Sequence, residues 1–199
     1  MRAGILVTSL AALLAFPALA QAPQGTPTNV RGTILKLSGD MLALKSRDGS
    51  TVDVTLASKT RVSALVRKKL SDIKDGDYIA STSMPGKDGK LHALEVHFLP
   101  SFVPELQAPW DLRKGSVMTN AHVSGIVKAK NGEDISLIFK GKPTAIVVGP
   151  RTVIVGSTEA SMADLKPGKA VFLRAIKQPD GKLVANNATV EKNGVKPPM

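Results

Sequence analysis

The feature that most constrains this chain is a motif that occurs twice at a fixed distance. The sequence Asp-Gly-Lys-Leu at 88–91 returns at 180–183, 92 residues later. Other residues match in the same order at the same spacing: Gly49 with Gly141, Thr60 with Thr152, Asp72 with Asp164, Lys74 with Lys166, Gly76 with Gly168 and Ala93 with Ala185. Near the start the spacing becomes 93, where Val30-x-Gly32 matches Val123-x-Gly125. A collinear series of this kind predicts an internal duplication, so one type of small fold should form twice.

Each unit has the pattern of a chain of short β-strands. Residues 51–56 alternate between polar and apolar side chains, which is typical of a half-buried strand. Asp-Gly and Asn-Gly pairs separate such runs and favour tight hairpin turns. These signals predict five strands in each unit, at about 30–37, 41–46, 51–56, 77–83 and 91–98, and again at about 123–129, 134–139, 144–148, 169–177 and 183–190.

A short segment of different character lies between the third and fourth strands of each unit. Residues 70–76 and 162–168 each combine one or two apolar residues with a Lys and a final Gly, which favours a single helical turn. Three strands, a short helix and two more strands is the order of a small OB-like barrel; a two-sheet sandwich is the alternative. We therefore predict an all-β protein with two tandem OB-like barrels, each of five strands plus a short helical turn.

The first twenty residues have the pattern of a secretory signal peptide. Arg2 precedes an apolar stretch that ends in Ala18-Leu19-Ala20, so we expect cleavage after Ala20 and a periplasmic mature protein. No later apolar run approaches the roughly 18 to 20 residues that span a bilayer, so we expect no transmembrane segment in the mature chain. The predicted organisation is a signal peptide at 1–20, a disordered tail at 21–29, repeat 1 at 30–99, a proline-containing linker at 100–121, repeat 2 at 122–193 and a C-terminal tail at 194–199.

These motifs together resemble a known family. The Gly-x-Ile at 32–34, the Thr-x-Val at 60–62 and the Asp-Ile-Lys-x-Gly at 72–76, followed by Asp-Gly-Lys-Leu, look like the repeat of an exported bacterial domain family of unknown function. The stretch around Trp110 also resembles the linker of members with two repeats. The resemblance covers about residues 30–190 and implies an OB-like fold, because its motifs are turns and caps rather than reactive groups.

The composition argues against catalysis and metal binding. Cysteine is absent and there are three histidines, which excludes disulfides, thiolate sites and a His-rich metal cage. His92 and His97 lie five residues apart on one predicted strand, which places them on opposite faces unless a bulge intervenes. The matched carboxylates, such as Asp72 and Asp164, lie in predicted turns or caps, where Asp commonly bonds backbone N–H groups. Because no nucleophile motif, phosphate loop or dinucleotide fingerprint is present either, we expect no enzyme, no cofactor and no metal site.

The charge balance indicates the kind of partner instead. The formal net charge of +11 favours anionic surfaces and polymers, and the alternative interpretation is a solvated surface that only keeps the protein soluble. Aromatic residues are too few for a base-stacking platform, so we expect no nucleic-acid partner.

We predict a non-catalytic periplasmic binding or adaptor module that contacts an envelope protein or an anionic envelope polymer; the alternative is a periplasmic protein that binds a small ligand or metal ion. Trp110 would either plug a seam between the barrels or form a recognition surface. The candidate contact residues are Arg61, Arg67, Lys68, Lys69 and Trp110.

Overall fold

The computed structural model describes residues 25–129 and 132–198, which are almost entirely β-structure. The predicted signal peptide at 1–20 and residues 21–24 of the predicted tail lie outside these residues. Within the described ranges, no helix is long and apolar enough to cross a membrane. The strands are β1 (Thr26–Ser38), β2 (Met41–Ser46), β3 (Thr51–Arg67), β4 (Tyr78–Pro85), β5 (Leu91–Phe98), β6 (Leu106–Trp110), β7 (Ser116–Ala129), β8 (Gly132–Phe139), β9 (Lys142–Val148), β10 (Val153–Glu159), β11 (Ala170–Lys177) and β12 (Leu183–Val190). Single 3₁₀ turns at Leu70–Asp72 and Met162–Asp164 stand where the helical turns were predicted.

Five strands close into a barrel. Strand β1 pairs with β2 and β11, β3 pairs with β2 and β12, and β11 pairs with β12. Strand alternation turns one apolar face inward, which confirms the prediction of an all-β fold with a five-stranded barrel. The fully buried interior includes Ile34, Leu42, Leu44, Val54, Val171, Leu173 and Val190.

A second group of five strands has its own core. Strand β4 pairs with β5 and β7, and β8 pairs with β7 and β9. A short parallel pairing, Leu91 with Ile146 and His92 with Val147, joins β5 to β9. The buried side chains here are also aliphatic and include Ile79, Val96, Ile135, Leu137, Ile146 and Val148.

The barrels do not follow the predicted repeat boundaries. The first barrel takes β1–β3 from residues 26–67 and β11–β12 from residues 170–190. The second group likewise joins β4–β5 with β7–β9. The expectation that 30–99 and 122–193 each close a barrel of their own is therefore wrong for this strand pairing. The physical reason is the length of β3, which continues for 17 residues instead of ending near residue 56 and carries the chain out of the first barrel. Each group therefore combines strands that the sequence prediction had placed in different units.

The two groups meet at a seam formed by β3, β10 and β5. Strand β10 pairs antiparallel with β3 and parallel with β5. In the β3–β10 pairing, Arg67 lies opposite Val155 and Ser63 lies opposite Glu159, with Leu65 and Ser157 at the centre. When 92 is added to the number of each β3 residue and subtracted from that of its β10 partner, the first pair becomes the second, the second becomes the first, and the central pair becomes itself. The seam therefore has the self-complementary register of a twofold interface.

Matching contacts also recur elsewhere at this spacing. Thr60 Oγ1 lies 2.9 Å from the carbonyl oxygen of Ala185, and Thr152 Oγ1 lies 2.8 Å from that of Ala93. In both 3₁₀ turns the third residue is Asp, and its carboxylate accepts a backbone hydrogen bond of 2.8 Å at the N-terminal end of the turn. The corresponding residues of the two halves therefore occupy corresponding places.

One sequence match is displaced in the structure. Ile34 lies opposite Leu44, whereas Val123 lies opposite Leu137, and an irregularity in the strand follows each of the first-named residues. The structure thus equates Ile34, and not Val30, with Val123. The spacing between Ile34 and Val123 is 89 residues, because each strand of the β7–β8 hairpin is two residues longer beyond this point than its counterpart in the β1–β2 hairpin.

The predicted tails and linker are more ordered than expected. Residues 26–29, assigned to a disordered tail, form the start of β1 and pair with β11. The linker at 100–121 supplies β6 and the first part of β7, which pair with each other from Leu106 opposite Asn120 to Trp110 opposite Ser116. In the C-terminal tail, Pro197 is buried. Trp110 and Met118 of the linker and Pro197 and Pro198 of the C-terminal tail line one cavity beside the seam.

Candidate functional site at the seam

The outer face of the seam is covered by side chains rather than open to water. Leu65 on β3 and Val155 on β10 point to this face and are at most 2% exposed. The residues that cover it come from both strand groups, the linker and the C-terminal tail: Arg31, Trp110, Leu112, Met118, Phe172, Pro197 and Pro198. Together they enclose a small cavity of about 110 Å³, which also reaches Glu95 and His97.

Arg31 is the central cation of this cover. It is 8% exposed, and its guanidinium carbon lies 4.6 Å from the centre of the Phe172 ring and 6.0 Å from that of Trp110. Its Nη1 donates a hydrogen bond to Asp111, which also accepts one from Asn29. Burial acts to raise the pKa of the Asp111 carboxyl, but these hydrogen bonds hold it below its ordinary value. The ion pair and the two rings therefore fix the guanidinium in one position.

Glu95 and His97 lie two residues apart on the same face of β5. Burial raises the pKa of Glu95 to about 7, against the opposing effect of the Arg31 charge, and burial lowers the pKa of His97 to about 4. His97 Nε2 lies 3.2 Å from Ser157 Oγ, and His97 Nδ1 lies 3.9 Å from Glu95 Oε1. At neutral pH the imidazole is therefore uncharged and the carboxyl is about half protonated, so this polar group carries little charge in a poorly hydrated place.

A larger cleft adjoins the small cavity. Its volume is about 1210 Å³, and it shares Glu95, Leu112 and Pro198 with the cavity. Most of the lining is apolar and includes Leu70, Met84, Leu94, Val147, Pro150 and Val153. Two exposed arginines, Arg113 and Arg151, also line it. The cleft thus combines apolar walls with cationic groups, the usual make-up of a site for a ligand with one charged end.

Tight turns hold both arginines at the cleft. Arg113 lies in the turn between β6 and β7, where Ser116 N donates to its carbonyl and Gly115 takes a φ of +82°. Arg151 lies in the turn before β10, where Thr152 Oγ1 accepts from Gly149 N at 3.1 Å and donates to the carbonyl of Ala93. The backbone of each turn is therefore tied at its base while the arginine side chain is free to reach a ligand.

The residues singled out from the sequence lie in two different places. Trp110 lines the small cavity beside Arg31. Arg61 and Arg67 are exposed on β3, Lys69 is exposed just before the 3₁₀ turn, and Lys68 Nζ lies 6.0 Å from the Phe98 ring. None of these four basic residues lines the cleft.

The expected separation of the histidines is wrong. Leu94 forms a bulge in β5, because Ala93 lies opposite Ser83 while Glu95 lies opposite Thr82. The extra residue reverses the alternation, so His92 and His97 share a face. His92 Nε2 nevertheless contacts Asp88 Oδ2 at 2.9 Å and lines the cleft, whereas His97 lines the small cavity. In residues 25–129 and 132–198, no three His, Asp or Glu residues come together as a group that could hold a metal ion.

Sequence reasoning missed the residues that build this site. Arg31 and Glu95 are unremarkable in the sequence, and their roles depend on the tertiary fold, which brings Arg31 of β1 and Glu95 of β5 to one cavity. A signal did exist in the comparison of the two units: Glu95 and His97 align with Asn187 and Thr189, so the pair is particular to one unit. Comparisons with protein-family models, curated proteins and solved structures found no match.

Proposed function

We propose that this chain is a non-catalytic, exported binding module whose ligand occupies the cleft at the seam. The observation that carries the proposal is the cleft itself, about 1210 Å³ with mostly apolar walls and the side chains of Arg113 and Arg151. Ligand sites in proteins are typically concave and mostly apolar, with a few polar groups that fix the orientation. The export is inferred from residues 1–20, whose pattern favours a periplasmic protein.

The chemistry of the cleft favours a ligand with an apolar body and an anionic group. A guanidinium can hold a carboxylate or phosphate through two parallel hydrogen bonds, and two arginines stand at this cleft. The net charge of +11 attracts anions from a distance. An amphipathic anionic component of the cell envelope has both properties, and it is the partner we propose.

The polar group beside the cleft supports binding rather than catalysis. Glu95, His97 and Ser157 are residue types found in hydrolase triads. The 3.9 Å between Glu95 Oε1 and His97 Nδ1 is too long for a hydrogen bond. A histidine whose pKa is lowered to about 4 is also a weak general base at neutral pH. We therefore assign no catalytic residue.

We further propose that the two halves are copies of one OB-like unit that exchanged their last two strands. The recurrence of hydrogen bonds and strand register at a spacing of 92 supports a duplication. The order of three strands, a 3₁₀ turn and two strands in each half supports the OB-like description. The exchange places one full set of strands on each side of the seam.

Binding of dodecyl phosphate, below its critical micelle concentration, tests the cleft. Trp110 is the only tryptophan, so its fluorescence reports the seam directly, with calorimetry as a second measurement. We expect saturable binding that weakens at least about tenfold in the Arg113→Gln/Arg151→Gln variant, since each charge-assisted contact contributes roughly 1.5–3 kcal/mol. The matched control, Arg61→Gln/Arg67→Gln, should bind as well as the unmodified protein. Equal loss in both variants, or no saturable binding, would reject the cleft as the site.

The basic cluster at residues 61–69 supports a second candidate partner, an anionic envelope polymer. Within the residues that the structure describes, Arg61, Arg67, Lys68 and Lys69 are exposed and none forms an ion pair with a carboxylate. Retention on a heparin column, as a model polyanion, tests this candidate. Changing all four to Gln should lower the salt concentration needed for elution, whereas Arg113→Gln/Arg151→Gln should change it less. The reverse order would favour the cleft alone.

A further inference from the structure

The C-terminal segment returns to the seam after the last strand. Beyond Val190 the chain turns through Asn193 and Gly194, which have φ values of +50° and +76°, and Val195 N donates a 2.9 Å hydrogen bond to the carbonyl of Lys192. The segment then places Pro197 and Pro198 against the small cavity. Because Pro197 is buried, this segment is seated in the fold and does not lie free in solvent.

The surface under these prolines has the properties of a polyproline groove. We define the proline slot as the surface formed by Trp110, Leu112, Met118 and Phe172 with the Arg31 guanidinium between the two rings. Domains that read proline-rich peptides use aromatic grooves of this kind, and they exploit an extended conformation that needs no internal hydrogen bonds. Pro197 and Pro198 line the same cavity, which is where such an occupant would lie.

The segment is held in a way that permits exchange. Among the described residues, no hydrogen bond joins residues 196–198 to the rest of the protein. The preceding turn is anchored separately, because Lys192 Nζ lies 3.3 Å from Asp164 Oδ2 and 3.2 Å from the carbonyl of Glu159. The prolines therefore depend on side-chain packing alone, and they could leave the slot without opening a strand or the turn.

We propose that the proline slot recognises extended proline-containing peptides, and that the protein's own Pro197 and Pro198 occupy it as an internal competitor. This function goes beyond ligand binding in the cleft. A partner with an accessible Pro-Pro segment would displace residues 196–198. A tethered segment competes at an effective concentration of about 1 mM. If the same sequence binds as a free peptide with a Kd of about 100 µM, the internal segment should weaken that binding about tenfold.

The test uses the protein without its signal peptide in two forms, unmodified and with Pro197→Gly/Pro198→Gly. The probe is a synthetic peptide with the sequence of residues 191–199, Glu-Lys-Asn-Gly-Val-Lys-Pro-Pro-Met. The control peptide carries Gly in place of both prolines. Binding is followed by the fluorescence of Trp110 and by calorimetry, and circular dichroism verifies that the variant is folded. We expect the variant to bind the probe about tenfold more tightly than the unmodified protein, and neither protein to bind the control peptide.

Three results would overturn the proposal: a folded variant that does not bind the probe, equal affinity in the two proteins, or equal binding of probe and control. The test does not depend on the variant alone, because excess probe must also change the Trp110 fluorescence of the unmodified protein. Arg113 and Arg151 line the cleft and not the slot, so their Gln variant should keep peptide binding. Failure of the slot and failure of the cleft are therefore distinguishable.

Discussion

The two sides of the seam have matching bulges and different side chains. On the β5 side, a bulge at Leu94 precedes Glu95 and His97; on the β12 side, a bulge at Asn186 precedes Asn187 and Thr189. Both bulges fall at the same place in the pairing with the neighbouring strand. At these positions β5 therefore carries two titratable side chains, whereas β12 carries none.

The difference extends to the space beside each bulge. The cleft next to Leu94 measures about 1210 Å³, whereas the pocket next to Asn186 measures about 350 Å³. On the β12 side, Thr189 Oγ1 and Ser63 Oγ lie 3.2 Å apart, so two hydroxyls satisfy each other. The matching residues on the β5 side are His97 and Val155, and His97 Nε2 contacts Ser157 instead. The β5 side therefore has both the larger space and the two titratable groups.

The largest difference between the sides should appear in the pH dependence of stability. The pKa of Glu95 rises from its ordinary 4.5 to about 7, so the folded state holds a proton that the unfolded state releases, and stability falls as pH rises through this range. The pKa of His97 falls from 6.5 to about 4, so stability falls as pH decreases through that range. Each effect is at most about 3 kcal/mol, and between pH 4.5 and 6.5 they oppose each other.

Single substitutions should separate these two slopes. Denaturant unfolding of Glu95→Gln should show stability that increases between pH 4 and 6.5, and that of His97→Asn should show stability that decreases between pH 4.5 and 7. The double variant Glu95→Asn/His97→Thr copies the β12 side and should lack both slopes. Parallel profiles for the two single variants would contradict the burial of this pair.

The second prediction concerns Trp110, which covers the seam together with Arg31. Replacing Trp110 with Ala should lower the free energy of unfolding by about 2 kcal/mol, less than for a fully buried aromatic residue, because the ring is partly exposed. Phe102 is a matched control, since it is 73% exposed and its change to Ala should cost less than about 0.5 kcal/mol. Thermal and denaturant unfolding measure both variants. If the Trp110 variant keeps full stability but loses peptide binding, Trp110 is a recognition residue only.

The third prediction exchanges the two bulge residues. Leu94→Asn gives the β5 side the residue of the β12 side and removes apolar surface from the cleft wall, so affinity for dodecyl phosphate should fall about tenfold. Asn186→Leu is the reciprocal control and should leave that affinity unchanged, because Asn186 lies outside the cleft. Calorimetry compares the two. A loss in Asn186→Leu as large as in Leu94→Asn would show that the two pockets are not independent.

The sequence predicted the strands well wherever turns mark their ends. The Asp-Gly pairs at 88–89 and 180–181 do separate β4 from β5 and β11 from β12. The sequence did not predict that the first barrel takes β1–β3 from one half of the chain and β11–β12 from the other. That pairing depends on whether β3 stops near residue 56 or continues to Arg67. Local propensity permits both, and only packing across the seam decides between them.

The candidate site could not be predicted from the sequence because it, too, depends on details of strand pairing. A bulge has no strong sequence signal, and the single extra residue at Leu94 changes which side chains share a face with His97. The burial of Arg31 could not be predicted from the sequence either, because an arginine within a polar stretch normally remains solvated. Its burial follows from Trp110 and Phe172, which lie 79 and 141 residues further along the chain.

The smallest predicted effect tests whether matching hydrogen bonds in the two halves contribute equally to stability. Thr60 and Thr152 occupy matching positions, and each hydroxyl reaches a carbonyl in the other half of the chain. Changing either threonine to Val preserves its shape and removes that hydrogen bond together with a local one, to the carbonyl of Ala57 at Thr60 and from Gly149 N at Thr152. Each variant should therefore lose about 1 kcal/mol of unfolding free energy. Because the two sites use different strands, the double variant should lose the sum of the two. A much larger loss at Thr152 would mean that the turn carrying Arg151 stabilises the seam more than its counterpart does, and the equivalence of the halves would then be limited to their backbone.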